Sequence, residues 1–172
     1  DGETETSQKT LATGETGTVD SGGALTVADD AILSTAGNLT ILNNGAITTS
    51  GVGNEAIDIV GNSGTSTITN NGSITTSGSN SDGVWFDNNT GTGTIINTGT
   101  ISLGDEGRGI WSYSNSGTVT MTNSGTITTK AQWGHGLESY NNSGTVTMTN
   151  SGTLTTSGGA KASGFFSYSA LD

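Results

Sequence analysis

Residues 120–129 read Thr-Met-Thr-Asn-Ser-Gly-Thr-Ile-Thr-Thr, and residues 147–156 repeat this string with a single change, Leu for Ile. The centre of the string, Asn-x-Gly-small-Ile/Leu, occurs five times along the chain. It begins at Asn43, Asn70, Asn97, Asn123 and Asn150. The glycines of these motifs are 27, 27, 26 and 27 residues apart. Repeats of this length are typical of solenoids, propellers and arrays, in which no single unit can bury its apolar face alone.

Each repeat contains three short stretches with the alternation of a β-strand. Val119 and Met121 alternate with threonines, and such a period of two in β-branched residues indicates a strand. A second strand follows the Asn-x-Gly corner, and a third is led by a small residue, as in Gly109-Ile110. The sequence therefore predicts an all-β fold, a parallel β-helix of about five to six turns with about 27 residues per turn. Because connections between parallel strands are overwhelmingly right-handed, we expect a right-handed helix. A propeller blade needs about 40 residues, which this repeat does not supply.

The alternation also predicts which side chains point inward. Three columns of stacked aliphatic residues would form a narrow, continuous core. The expected core residues are Leu39, Ile41, Ile47, Ile57, Ile68, Ile74, Val84, Ile95, Ile101, Ile110, Val119, Met121, Ile127, Leu137, Val146, Met148, Leu154 and Phe165. The five motif asparagines occupy one corner, where they either form a hydrogen-bonded ladder or merely tolerate a turn conformation; the repetition favours the ladder.

Residues 1–30 differ from the rest, because their repeat is imperfect and nearly half of the 15 acidic residues lie there. These are Asp1, Glu3, Glu5, Glu15, Asp20, Asp29 and Asp30. We divide the chain into residues 1–17, a cap, disordered lead or donated strand, and residues 18–172, a single β-solenoid domain. If the first segment covered the last turn of a neighbouring molecule, head-to-tail filaments would result.

Composition excludes several classes of function. The net charge of −11 argues against nucleic acid, which requires clustered Lys and Arg, and no apolar run is long enough to cross a membrane. The absence of cysteine leaves the compartment open. The single histidine, His135, is expected to be a solvated loop residue. It shares its loop position with Asp30, Glu55, Asp82, Arg108 and Ser163.

Acidic residues offer weak candidates for a catalytic or metal site. Asp82 and Asp105 are a conceivable glycosidase pair, and the pairs Asp29-Asp30 and Asp105-Glu106 hold oxygen ligands suited to calcium. None of these pairs fits an established motif, so solvated loops are the simpler interpretation. We therefore predict no catalytic residues, no metal site and no cofactor.

The repeats resemble the passenger domains of bacterial autotransporters. The resemblance rests on residues 67–76, 120–129 and 147–156, which share the Thr-x-Thr-Asn-x-Gly-x-Ile/Leu-Thr-Thr pattern. Such passengers are secreted right-handed β-helices, commonly adhesins, displayed at the outer membrane. The resemblance implies a surface location and carries over no catalytic or binding residue.

Two outward-facing features are candidates for contact with partners. One is a face of aromatic side chains, interrupted by Asp58 and Glu138, which suits sugars or proteins or simply strengthens the sheet by stacking. Its members are Trp85, Trp111, Phe166, Tyr113, Tyr140 and Tyr168. The other is a row of threonines, similar to the arrays of ice-binding β-solenoids. The row contains Thr40, Thr67, Thr94, Thr120 and Thr147, partly doubled by Thr69, Thr122 and Thr149.

These observations predict a non-enzymatic extracellular β-solenoid that acts in bacterial surface adhesion or self-association. Its expected partners are other copies of itself or a cell-surface glycan or protein, with neither nucleic acid binding nor membrane insertion. The alternatives are a filament subunit and an ice-binding protein.

Overall fold

The computed structural model describes residues 2–157, 159 and 161–169, and these residues form an all-β solenoid of about six turns with roughly 27 residues per turn. No helix occurs among them, and twenty strands account for the regular structure. In chain order the strands are β1 Thr4–Glu5, β2 Lys9–Thr10, β3 Thr16–Val19, β4 Ala24–Val27, β5 Ile32–Ser34, β6 Thr40–Asn43, β7 Ala46–Thr49, β8 Ile57–Val60, β9 Thr65–Asn70, β10 Ser73–Thr76, β11 Val84–Asp87, β12 Thr92–Asn97, β13 Thr100–Asp105, β14 Ile110–Tyr113, β15 Thr118–Asn123, β16 Thr126–Lys130, β17 Leu137–Tyr140, β18 Val146–Asn150, β19 Thr153–Thr156 and β20 Phe165–Tyr168.

The strands stack into three parallel sheets, one for each side of the solenoid. Sheet 1 follows the Asn-x-Gly corner and has the order β1-β4-β7-β10-β13-β16-β19. Sheet 2 has the order β2-β5-β8-β11-β14-β17-β20. Sheet 3 has the order β3-β6-β9-β12-β15-β18. The predicted parallel solenoid with three strands per turn is confirmed, and its right-handed winding stays a prediction.

The register places each residue beside its copy in the next turn. Ile74, for example, pairs with Ile47 on one side and Ile101 on the other. The register extends to the first turn, where β1, β2 and β3 pair in parallel with β4, β5 and β6. Residues 4–19 therefore lie in a turn stacked on their own chain. Asp1 and residues 170–172, which belong to the two predicted segments, lie outside the described residues.

The core is the predicted narrow column of aliphatic side chains. Of the expected core residues, those from Leu39 to Leu137 are buried, and Val146, Met148 and Leu154 pack against them while partly exposed. Phe165 is 46% exposed, because no turn among the described residues covers the last strand of sheet 2. Phe86 is a further, fully buried core residue, and its ring occupies the space that a side chain at Gly93 would need.

The motif asparagines form a buried ladder at the corner between sheets 3 and 1. The side-chain Nδ2 of each donates to Oδ1 of the asparagine one turn on, at 2.7 Å in every pair from Asn43 to Asn150. The motif glycines pack against one another at the same corner. A Cβ at Gly99 would overlap the carbonyl oxygen of Gly72, so the close approach of successive turns requires glycine there.

A second asparagine ladder, which the sequence analysis missed, lies at the corner between sheets 2 and 3. Its members are Asn62, Asn89, Asn115 and Asn142, each followed two residues later by glycine. Oδ1 of Asn115 accepts hydrogen bonds from the backbone N–H of Asn89 at 2.7 Å and from its Nδ2 at 2.9 Å. Asn115 and Asn142 repeat the arrangement. The same Asn-x-Gly spacing at both corners is the sequence signal that could have revealed it.

In the part of the chain that the structure describes, no helix has the length and apolar character needed to cross a membrane.

Candidate functional site on sheet 2

The outer face of sheet 2 carries three parallel columns of side chains, which we call the sheet 2 ribbon. The central column, in register from turn to turn, is Asp58, Trp85, Trp111, Glu138 and Phe166. On one side runs the column Asp87, Tyr113, Tyr140 and Tyr168. On the other side the loops that precede the strands stack Asp30, Glu55, Asp82, Arg108, His135 and Ser163. The six predicted contact aromatics are thus all brought together.

The aromatic rings stack along the ribbon. The ring centroids of Trp85 and Trp111 are 5.2 Å apart and nearly parallel. Tyr140 stacks between Tyr113, at 5.8 Å, and Tyr168, at 4.8 Å. The tilted contact between Trp111 and Tyr113, at 5.1 Å, joins the two columns. Stacking at these distances stabilises the sheet and leaves ring edges and faces toward solvent.

Arg108 organises the charged part of the ribbon. Its Nε donates to Oε2 of Glu138 at 3.1 Å, and its Nη1 lies 3.7 Å from Oδ1 of Asp82. Its guanidinium carbon lies 4.1 Å from the centre of the Trp111 ring, a cation–π contact. One cation therefore contacts two buried carboxyl groups and the face of one tryptophan.

Burial weakens the acidity of the carboxyl groups in the ribbon. It raises the pKa of Glu138 to about 7 and that of Asp82 to about 6, although Arg108 opposes both changes. Burial, together with the neighbouring acid Asp82, raises the pKa of Glu55 to about 9. Burial and Asp30 raise the pKa of Asp58 to about 7. The turns nearer the N-terminus therefore gather carboxyl groups whose negative form is disfavoured, because no ion pair among the described residues reaches Glu55 or Asp58.

The expectation that His135 is a solvated loop residue is wrong, since its side chain is only 3% exposed. Its Nδ1 accepts the backbone N–H of Ser163 at 3.2 Å, and its ring stacks on Phe166 with a centroid distance of 4.4 Å. Burial and the nearby Arg108 lower the pKa of His135. Its proton consequently resides on Nε2, which lies 3.9 Å from Oε2 of Glu138. A loop that folds onto the sheet excludes water here, and residue type alone does not reveal such packing.

A cleft of about 410 Å³ opens at the C-terminal half of the ribbon. Its walls combine rings with hydrogen-bonding groups: Asn80, Arg108, Trp111, Trp133, His135, Glu138, Tyr140 and Phe166. Trp133, from the loop between β16 and β17, is 44% exposed, and the Lys161 ammonium lies 4.1 Å from its ring centre. An open apolar surface with a few fixed polar groups is the usual character of a ligand site.

The structure does not bring together the conceivable glycosidase pair, Asp82 and Asp105. Asp82 is buried against Arg108, whereas Asp105 is exposed at the end of β13 in sheet 1. Asp58 and Glu138 are separated by Trp85 and Trp111 in the central column, three turns apart. Asp30 lies close to Glu55 and Asp58 of the next turn. One carboxylate oxygen from each of these three residues lies within 4.8 Å of the other two.

The threonines of the predicted row occupy one column of sheet 3. Thr40, Thr67, Thr94, Thr120 and Thr147 are in register. The partial second row of Thr69, Thr122 and Thr149 is preceded by Leu42 and interrupted by Ile96. Ice binding stays a prediction.

The fold and the ribbon define a β-solenoid that presents aromatic and charged side chains along one outer sheet. The chain belongs to the family described as hyphally regulated cell wall protein N-terminal, whose model matches residues 2–164. No curated protein and no solved structure gave a significant match. Membership in this family assigns the chain to the cell wall or surface, outside the cell, and confirms the predicted extracellular location.

The family match refines the resemblance to autotransporter passengers. The solenoid fold and the surface location agree with that resemblance. The matched family is one of cell wall proteins, and nothing supports the bacterial origin that the resemblance implied.

Proposed function

We propose that the chain is a non-enzymatic adhesion module of the cell wall that binds neutral glycans in the cleft of the sheet 2 ribbon. The observation that carries the proposal is the cleft itself, where Trp111, Trp133 and Phe166 surround the Arg108–Glu138 ion pair. Aromatic faces pack against the C–H faces of sugar rings, and paired charged groups hydrogen-bond sugar hydroxyls.

Charge favours a neutral rather than an acidic glycan. The chain has a net charge of −11, and the only arginine already contacts Asp82 and Glu138. Anionic sugars would therefore meet repulsion from the net charge, and the cation among the residues that line the cleft, Arg108, already pairs with two carboxyl groups. Neutral hexose and N-acetylhexosamine chains, as occur on cell surfaces, meet neither penalty.

The test uses Trp133→Ala, because Trp133 is the most exposed ring of the cleft and does not contribute to the buried core. Titration calorimetry with neutral hexose and N-acetylhexosamine oligomers should show a loss of about 1–2 kcal/mol, or five- to thirtyfold in affinity. Val52→Ala, which alters a 74% exposed side chain in a loop outside the cleft, is the matched control and should bind like the parent protein.

Two outcomes would contradict the proposal. One is equal binding by the Trp133→Ala and parent proteins, and the other is preferred binding of uronic acid oligomers. Circular dichroism melting of the same variants verifies that an altered affinity does not reflect unfolding.

A further inference from the structure

The N-terminal half of the sheet 2 ribbon gathers three carboxylates from two successive turns. Asp30 precedes β5, Glu55 precedes β8, and Asp58 points outward from β8. One oxygen atom from each lies within 4.8 Å of the other two. Glu55 and Asp58 are only 5% and 7% exposed, whereas Asp30 is half-buried. Oδ1 of Asp30 accepts the backbone N–H of Glu55 at 2.8 Å, which holds the two loops together.

This cluster contains a carboxylate oxygen that nothing on the described chain satisfies. Oδ1 of Asp58 is buried without any hydrogen-bond partner among the described residues. Among the described residues, the ion pairs are Lys9 with Glu5, Arg108 with Asp82 and with Glu138, and His135 with Glu138. None of these pairs includes a residue of the cluster. A buried carboxylate without a partner is costly, so such a group either stays protonated or is paired with a cation such as a metal ion.

The dimensions match those of a calcium coordination sphere. Calcium binds carboxylate oxygens at about 2.3–2.6 Å, so two ligands on opposite sides of one ion are about 4.6–5.2 Å apart. Three oxygens within 4.8 Å of one another can therefore share one calcium ion. Magnesium, at about 2.0–2.1 Å, requires ligands that are closer together and a stricter octahedron. The half-buried Asp30 leaves one side of the cluster open, through which water ligands can complete the sphere.

We propose that Asp30, Glu55 and Asp58 bind a calcium ion that joins two successive turns of the solenoid. The ion would supply the cation that the cluster lacks, and would give the unsatisfied Oδ1 of Asp58 a partner. Calcium sites of extracellular modules have dissociation constants of about 0.1–1 mM, which is the range expected here. The cluster is separate from the glycan cleft, since the two sets of lining residues have no member in common.

The experiment exploits the position of Trp85, whose backbone pairs with that of Asp58 on the neighbouring strand. Bound metal is first removed from the protein with a chelator. Terbium(III), a calcium-like ion, is then titrated in while the tryptophan indole groups are excited. Energy transfer from Trp85 should produce terbium emission, and calcium chloride should abolish it by competition. Calcium should also raise the melting temperature, and this rise should continue with the logarithm of the calcium concentration above the dissociation constant, whereas sodium chloride of equal ionic strength should have no such effect.

Asp58→Asn should weaken terbium and calcium binding by at least about tenfold, and Asp30→Asn provides a second, less buried variant if the first fails to fold. Asp29→Asn, an exposed neighbour outside the cluster, is the matched control and should retain the parent affinity. Equal losses in the Asp29 and Asp30 variants would mean diffuse attraction by an acidic surface and would overturn the proposal. Absence of both terbium emission and a calcium-specific rise in melting temperature would also overturn it.

Discussion

Asn97 shows how one side chain fixes the spacing between turns. Its Nδ2 donates to Asn123 and its Oδ1 accepts from Asn70, both at 2.7 Å, and the residue is fully buried. Replacement by Ala would leave a buried donor on Asn70 and a buried acceptor on Asn123 without partners. We expect Asn97→Ala to lower the free energy of unfolding by about 1–3 kcal/mol, as measured by urea denaturation.

Asn71→Ala is the matched control for this prediction. Asn71 occupies the same corner and also hydrogen-bonds an asparagine of the neighbouring turn, Asn44, at 2.9 Å, but it is exposed. Its loss should cost less than about 0.5 kcal/mol, because water replaces the bond. Similar losses in the two variants would indicate that burial does not determine the strength of the ladder.

The buried carboxyl groups predict an unusual dependence of stability on pH. The pKa of Glu138 rises from 4.5 in a model peptide to about 7, so folding favours its protonated form. Its contribution to stability is therefore present below pH 4.5 and is lost as the pH rises through 7. The raised pKa values of Asp58 and Asp82 act in the same direction. Near Glu138 the facing groups are Arg108, Asp82 and His135.

We expect the melting temperature, measured in chelator, to fall steadily between pH 5 and pH 8. Glu138→Gln, which keeps the shape and removes the charge, should flatten this slope. Glu3→Gln, an exposed acid in the first turn, should leave the slope unchanged. A melting temperature that rises over the same interval would contradict the assignment of desolvation as the dominant effect.

At the scale of the elements, alternation within strands was sufficient to predict the sheets and most of the core. Val119 and Met121 point inward, and Ile74 aligns with Ile47, because the period of two and the repeat length together determine face and register. Phe86 was not among the expected core residues, although it lies two positions after Val84 on the same inward face. Parity alone would have placed it inside.

Loops account for what the sequence did not reveal. The sequence showed that one loop position recurs in every turn, but we expected its side chains to lie in solvent. The residues at this position are Asp30, Glu55, Asp82, Arg108 and His135. Whether a loop folds back onto its sheet depends on backbone contacts that residue type does not encode, such as the bond from the Arg108 N–H to Asp82. For this reason the aromatic columns were predictable, whereas the buried ion pairs between them were not.

At the scale of the whole molecule, the sheet 2 ribbon divides into an acidic N-terminal part and an aromatic C-terminal part. Asp58 and Glu138, one in each part, occupy the same column three turns apart, which corresponds to about 14 Å at 4.8 Å per turn. In a solenoid each turn contacts only its neighbours, so perturbations decay from turn to turn. Asp82 is a charged connection between the two parts, because it contacts Arg108 and raises the pKa of Glu55.

This arrangement predicts that the two proposed sites act independently. Sites separated by more than about 7–10 Å with no shared partners usually have additive energies, within about 0.5 kcal/mol. Glycan affinity measured by calorimetry should therefore differ by no more than about twofold between calcium and chelator, a difference of about 0.4 kcal/mol. Asp82→Asn removes the charged connection through Asp82 and should leave this ratio unchanged. A glycan affinity that requires calcium in the parent protein, and loses that requirement in Asp82→Asn, would instead show that the Arg108–Asp82 contact couples the two halves of the ribbon.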